Sequence, residues 1–73
     1  MSEPVDVTIT DDQIKLGQFL KLADLIESGA EAKTVIAAGL VRVNDEVELR
    51  RGRQLQSGDV VTLAGRQVRV AGV

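Results

Sequence analysis

The chain has 73 residues, no cysteine and no histidine, so it makes one domain near the lower size limit for a single core, without disulfide or zinc staples. It also lacks tyrosine, and Ser2, Ser28 and Ser57 have no imidazole to activate them, which argues against an enzyme. Net charge is −2, no apolar run approaches a membrane span, and the N-terminus has no signal-peptide pattern, so a cytoplasmic domain is expected.

In chain order, Val5, Val7 and Ile9 alternate with Asp6 and Thr8, the period of a half-buried strand with an exposed start at Pro4. Thr10-Asp11-Asp12-Gln13 reads as a turn or a helix-capping box. Leu16, Phe19, Leu20 and Ala23 follow the spacing of a helix with one buried face. Gln18 and Lys21 then project from the opposite side, with Lys15 at the flank. Gly17 weakens this helix and keeps it short. A link over 24–27 leads to Ser28-Gly29-Ala30-Glu31, a second capping-box pattern. It opens a helix with Ala32, Val35 and Ile36 inward, Lys33 outward and Gly39 as its stop.

After Gly39 the period changes to two. Leu40-Val41-Arg42-Val43 reads as a strand, Asn44-Asp45 as a turn, and Val47 to Leu49 as the returning strand. With Val43 and Val47 both inward, a three-residue loop sets Arg42 opposite Glu48. Arg50-Arg51-Gly52-Arg53 forms a basic turn, Leu55 returns to the core, and Ser57-Gly58-Asp59 turns again. Residues 60–64 and 67–71 then form a hairpin. Gly65-Arg66 serves as a type II′ loop, pairing Leu63 with Val68 and Val61 with Val70. The whole is an α+β domain: two short packed helices against a small, mostly antiparallel sheet.

Charge is unevenly placed along this order. Residues 1–12 carry Glu3, Asp6, Asp11 and Asp12 and no base, giving −4. Residues 13–58 carry seven bases and six acids, giving +1, and the remainder adds +1. Salt screens charge beyond about 8–10 Å, so a ligand at the body of the chain feels the local cations rather than the total. The carboxylate pairs Asp11–Asp12 and Glu46/Glu48 lack calcium-loop spacing and read as solvated charge. No metal or cofactor is expected.

Several motifs now stand together in one order: Lys15-Leu16, Ser28, Ala32-Lys33, Ile36-Ala37-Ala38-Gly39-Leu40-Val41-Arg42-Val43-Asn44 and Gly58-Asp59-Val60-Val61. The chain over Leu16 to Val61 resembles the S4 RNA-binding domain family, named after a protein of the small ribosomal subunit. The resemblance covers roughly two-thirds of the chain, with a motif core at 15–61 inside a single domain at 1–73. Leu20-Lys21-Leu22, Ser28-Gly29, Glu31-Ala32-Lys33 and Glu48 through Arg53 are similar to the short stand-alone bacterial subgroup of the YbcJ type. In two places the chain departs from the family: Asn44-Asp45 replaces the usual Asn-Gly turn, and Gly29 stands where the broader family often has Arg.

What the resemblance implies is binding of structured RNA, plausibly ribosomal RNA, across the helix pair and adjacent hairpin. Carried over by position, the contact residues are Lys15, Gln18, Lys21, Lys33, Arg42, Arg50, Arg51 and Arg53. The residues agree on the chemistry. Lys and Arg neutralise phosphates and release counterions, and Arg adds a planar fork that grips phosphate oxygens. With Phe19 on the buried face there is no aromatic platform for stacked bases, so recognition of folded or duplex RNA by shape and backbone is expected. The competing expectation is a protein adaptor, with a protein partner docking on the acidic N-terminal segment or pairing with the edge strand over 5–9.

Overall fold

A computed structural model describes residues 4–72. Glu3, one of the four acids of the leading segment, lies outside the described residues. Among the described residues, seven strands and two helices follow in order: β1 (Val5–Thr8), β2 (Gln13–Lys15), α1 (Leu16–Leu22), α2 (Gly29–Ala37), β3 (Val41–Val43), β4 (Glu46–Val47), β5 (Gln54–Gln56), β6 (Val60–Leu63) and β7 (Arg66–Ala71). The main sheet has the order β1-β7-β6-β3-β4. Its pairs are antiparallel except β1 with β7, which run parallel. A second, two-stranded sheet joins β2 to β5.

One core unites these layers. Leu16, Phe19 and Leu20 from α1, Ala32 and Ile36 from α2, and Val41, Val43, Val61, Leu63, Val68 and Val70 from the sheet are buried together with Ile9, Ile26 and Leu55. The helical and strand periods read from the sequence put most of these side chains inside; Ile26, in the link between the helices, was not among them. Phe19 is fully buried, as its place on the apolar face requires.

The ends of α2 follow their local chemistry. Ser28 Oγ accepts a hydrogen bond from the Glu31 amide at 3.3 Å, and the Glu31 carboxylate accepts from the Glu27 amide at 2.8 Å. At the other end Gly39 takes φ +75°. Its amide donates to Ile36 O and that of Leu40 to Val35 O, a Schellman closure. Of the two readings of 10–13, a turn or a capping box, the capping box does not form: the chain bends over 10–12 and Gln13 enters β2. Helix α1 has no side-chain cap. Its first amides, on Leu16 and Gly17, donate to the carbonyls of Arg53 (2.8 Å) and Arg51 (3.1 Å). A distant turn thus does the work of a cap.

Both hairpin registers differ from the sequence reading. In β3–β4, Arg42 pairs with Val47 and Val43 with Glu46, so the loop is Asn44-Asp45, with φ +52° and +70°. Val47 is 51% exposed and Glu48 6%, the reverse of the expected facing, and Arg42 does not meet Glu48. Asp45 accepts the left-handed conformation for which the family usually supplies Gly. The side chain of Asn44 holds the hairpin in place: it donates to Asp59 (3.1 Å) and accepts from the Val60 amide (3.0 Å). The motif residues Asn44 and Asp59 are therefore structural partners. In β6–β7, Val61 pairs with Val68 and Leu63 with Arg66, so the loop is Ala64-Gly65, not Gly65-Arg66. The β6–β7 slippage by two residues keeps every side chain on its face, so the apolar pattern could not distinguish those two registers, whereas the one-residue slip in β3–β4 exchanges the faces of Val47 and Glu48.

Candidate RNA-binding surface

The sheet formed by β2 and β5 builds the site. Pairing of Ile14 with Leu55 and of Lys15 with Gln54 carries the turn over 50–53 up to the start of α1. There Leu16 and Gly17 bond it from one side. From the other side it is held by Glu48, whose carboxylate accepts from the Arg50 amide (3.0 Å), Arg50 Nε (3.1 Å), Arg50 Nη2 (3.3 Å) and Arg53 Nη1 (2.9 Å). These contacts, the Arg50 bond foremost and then Arg53, bring the Glu48 carboxyl down to about 2 against the partial opposition of burial. Glu48 in turn raises the pKa of Arg50.

Between this turn and the helix pair lies a groove of about 400 Å³. Gly17, Gly29, Ala32 and Gly52 give it a low floor, and Lys15, Gln18, Lys21 and Arg51 its polar rim. Lys15, Gln18 and Lys21 recur every three residues, along one side of α1 and its entry. Among the described residues no carboxylate forms an ion pair with Lys15, Lys21 or Arg51. Of the four acids in the leading segment, Asp6 is bound to Arg69 Nε at 2.7 Å, on the β1–β7 side of the sheet.

The eight candidate residues are thus not all alike. Four of them converge on the groove. Lys33 is exposed on α2, one helical turn beyond Gly29, and continues that side of the helix. Arg50 and Arg53 share Glu48, leaving one net positive charge in the trio; the Arg50 side chain is 76% exposed and that of Arg53 30%. Arg42 is exposed between buried Val41 and Val43, so it points from the sheet face opposite the helices. The structure does not bring it to the groove. Sequence reading missed two participants. Glu48 was taken as solvated, and Gly17 only as a helix weakener; the density of Arg at 50–53 signalled a nearby negative charge without saying that Glu48 supplies it.

Two helices packed on a mostly antiparallel sheet, with a cationic groove beside them, make this chain a small α+β domain. The S4 domain profile matches residues 7–71, and the chain belongs to that family. It is 51% identical over 65 residues to the Probable ribosome maturation protein RlbA of Bacillus subtilis (strain 168), covering 89% of each chain. It is 42% identical over 57 residues to YbcJ of Escherichia coli (strain K12), covering 78% of this chain and 81% of that one. The solution structure of E. coli YbcJ, with an αL motif involved in RNA binding, matches at TM-score 0.71 and 36% identity over 97% of this chain and 91% of that one. Ribosomal protein S4e from Thermoplasma acidophilum shares the fold at TM-score 0.63 and 23% identity, over 82% of this chain and 32% of that one. Among the described residues no helix is long and apolar enough to cross a membrane.

Proposed function

We propose that the chain is a non-catalytic binder of structured or duplex RNA in the cytoplasm, and that ribosomal RNA is its target. The observation that carries this is the groove rimmed by Lys15, Gln18, Lys21 and Arg51, its cations without carboxylate partners among the described residues. A floor of Gly and Ala lets a sugar-phosphate strand come close, and three cations neutralise its phosphates while Gln18 supplies a neutral donor and acceptor. Lys33, Arg50 and Arg53 form the margin of the contact. Arg42 is an outlying contact, met by RNA that reaches round the β4 edge. The single aromatic ring is fully buried, which favours recognition of helical shape and backbone over stacking of single-stranded bases. The kinship with a ribosome maturation protein supports ribosomal RNA as the target.

The test is reversal of Lys15, Lys21 and Arg51 to Glu, with binding to RNA stem-loops followed by fluorescence anisotropy across a salt series. Binding is expected to be lost while the circular dichroism spectrum and melting curve are retained. Unchanged affinity and salt slope would refute the assignment. Reversal of Arg50 and Arg53 is a poorer test, because new carboxylates there would confront Glu48 and disturb the turn. For the target itself, crosslinking in cells and sequencing of the attached RNA should recover ribosomal RNA. An adaptor docking protein on the acidic N-terminal segment would instead keep its partners after nuclease digestion.

A further inference from the structure

Arg51 is the rim residue carried on a turn rather than on a strand or helix and, like Lys15 and Lys21, its side chain has no ion-pair partner among the described residues. A long side chain so placed loses considerable rotamer freedom when it binds a phosphate. Two features of the structure reduce that freedom. The first is contact with Gly17. A Cβ at position 17 would lie 2.8 Å from Arg51 Cγ and 3.4 Å from Cδ, so the aliphatic stem of Arg51 runs across the bare backbone of the first turn of α1. The second is the Glu48 carboxylate. It binds the Arg50 amide and both flanking guanidinium groups, Arg50 and Arg53, and so fixes the turn from whose middle Arg51 projects.

We infer that Gly17 and Glu48 are positioning residues: Glu48 braces the 50–53 turn and Gly17 leaves the channel along which the Arg51 stem lies, so that its guanidinium enters the groove already oriented for an RNA phosphate. This rests on the RNA-binding reading above. It explains why a helix of 7 residues tolerates a poor helix former in its first turn. It also explains why a carboxylate stands among three arginines on a surface meant for an anion.

The inference predicts an effect opposite in sign to simple electrostatics. Removing a negative charge beside an RNA site should tighten binding. If Glu48 braces the turn, Glu48→Gln instead weakens binding of a fluorescein-labelled RNA stem-loop by about tenfold, the loss of one charge-assisted contact, and lowers the salt slope by about one phosphate. Gly17→Ala, which introduces the better helix former, keeps the thermal stability and weakens binding by a similar factor. In an Arg51→Ala background both substitutions lose this effect, and Glu48→Gln becomes neutral or tightens binding, because only its charge remains to be felt. That background dependence separates positioning from general damage to the fold.

A folded Glu48→Gln or Gly17→Ala protein that binds as tightly as the parent, with the parent's salt slope, overturns the inference, as does equal weakening in the Arg51→Ala background. If Glu48→Gln does not fold, Gly17→Ala decides alone. Should the parent bind the stem-loop and Arg51→Ala weaken it while these two variants do not, the positioning role fails and the RNA-binding surface stands. A parent chain that fails to bind the stem-loop removes both.

Discussion

Replacement of Ala64 by glycine should stabilise this protein, although glycine is usually a destabilising substitution. Ala64 and Gly65 are the two loop residues between Leu63 and Arg66, at φ +54° and +78°. Such a pair of left-handed residues belongs to a type I′ turn, where the twist of the flanking strands is matched. An L-residue with a Cβ is disfavoured there by about 1–2 kcal/mol. Glycine removes that penalty but adds about 0.4–1 kcal/mol through the greater freedom of its unfolded chain. Ala64 is exposed, so little buried area is lost. The balance is a gain of about 0.5–1 kcal/mol, or a rise in melting temperature of about 3–6 °C for a domain of this size. Urea and thermal unfolding followed by circular dichroism would measure it, with an unchanged denaturant slope showing that the same surface is exposed. The sign discriminates between registers. Were the loop Gly65-Arg66, Ala64 would lie in ordinary extended strand, and glycine there would cost about 0.5–1 kcal/mol. A lower melting temperature would therefore refute the register and the reasoning together.

Two further outcomes follow from the site. The Glu48 carboxyl, brought from 4.5 to about 2 by Arg50 and then Arg53, has a folded-state pKa below its unfolded one; its contribution to stability is complete above about pH 4.5 and is lost as pH falls through about 2. Urea midpoints measured across that interval should fall with acidity in the parent and less steeply in Glu48→Gln; parallel curves would remove the carboxylate from the account. At Gly29 an added Cβ meets nothing within 4 Å, so Gly29→Arg should restore the cation common in the broader family at the edge of the groove. RNA affinity is expected to rise severalfold with a salt slope steeper by about one phosphate, at a stability cost of about 0.5 kcal/mol for a cation at a helix N-terminus. Unchanged binding of stem-loop RNA by anisotropy would place the RNA elsewhere.

Local sequence was enough to define the order of most elements and most of the core, with Val47 expected inside but exposed and Ile26 buried without having been expected. Phe19 and Leu20, Ala32 and Ile36, Val41 and Val43, and Val61, Val68 and Val70 are all inside, because helical and strand periods specify which face is buried. The cap at Ser28 and the stop at Gly39 were equally legible, since each depends on one residue's own hydrogen bonding or backbone freedom. Only the tertiary structure decided the rest. The strands β2 and β5 are three residues each, with one apolar position apiece, too short to show a period, and their pairing bridges some forty positions of chain. That pairing seats the basic turn against α1 and makes a groove out of Lys15, Lys21 and Arg51. It separates them from Arg42, whose exposure alone could not say which side of the sheet it occupies. Glu48 shows the same division: its charge was plain in the sequence, but its burial among arginines depends on a hairpin loop of two residues rather than three. Facing follows the local period where the strand or helix is long enough to show one; at Val47 and Glu48 it follows the hairpin loop instead, and register and convergence depend on which distant backbone groups pair, a choice made by the whole fold.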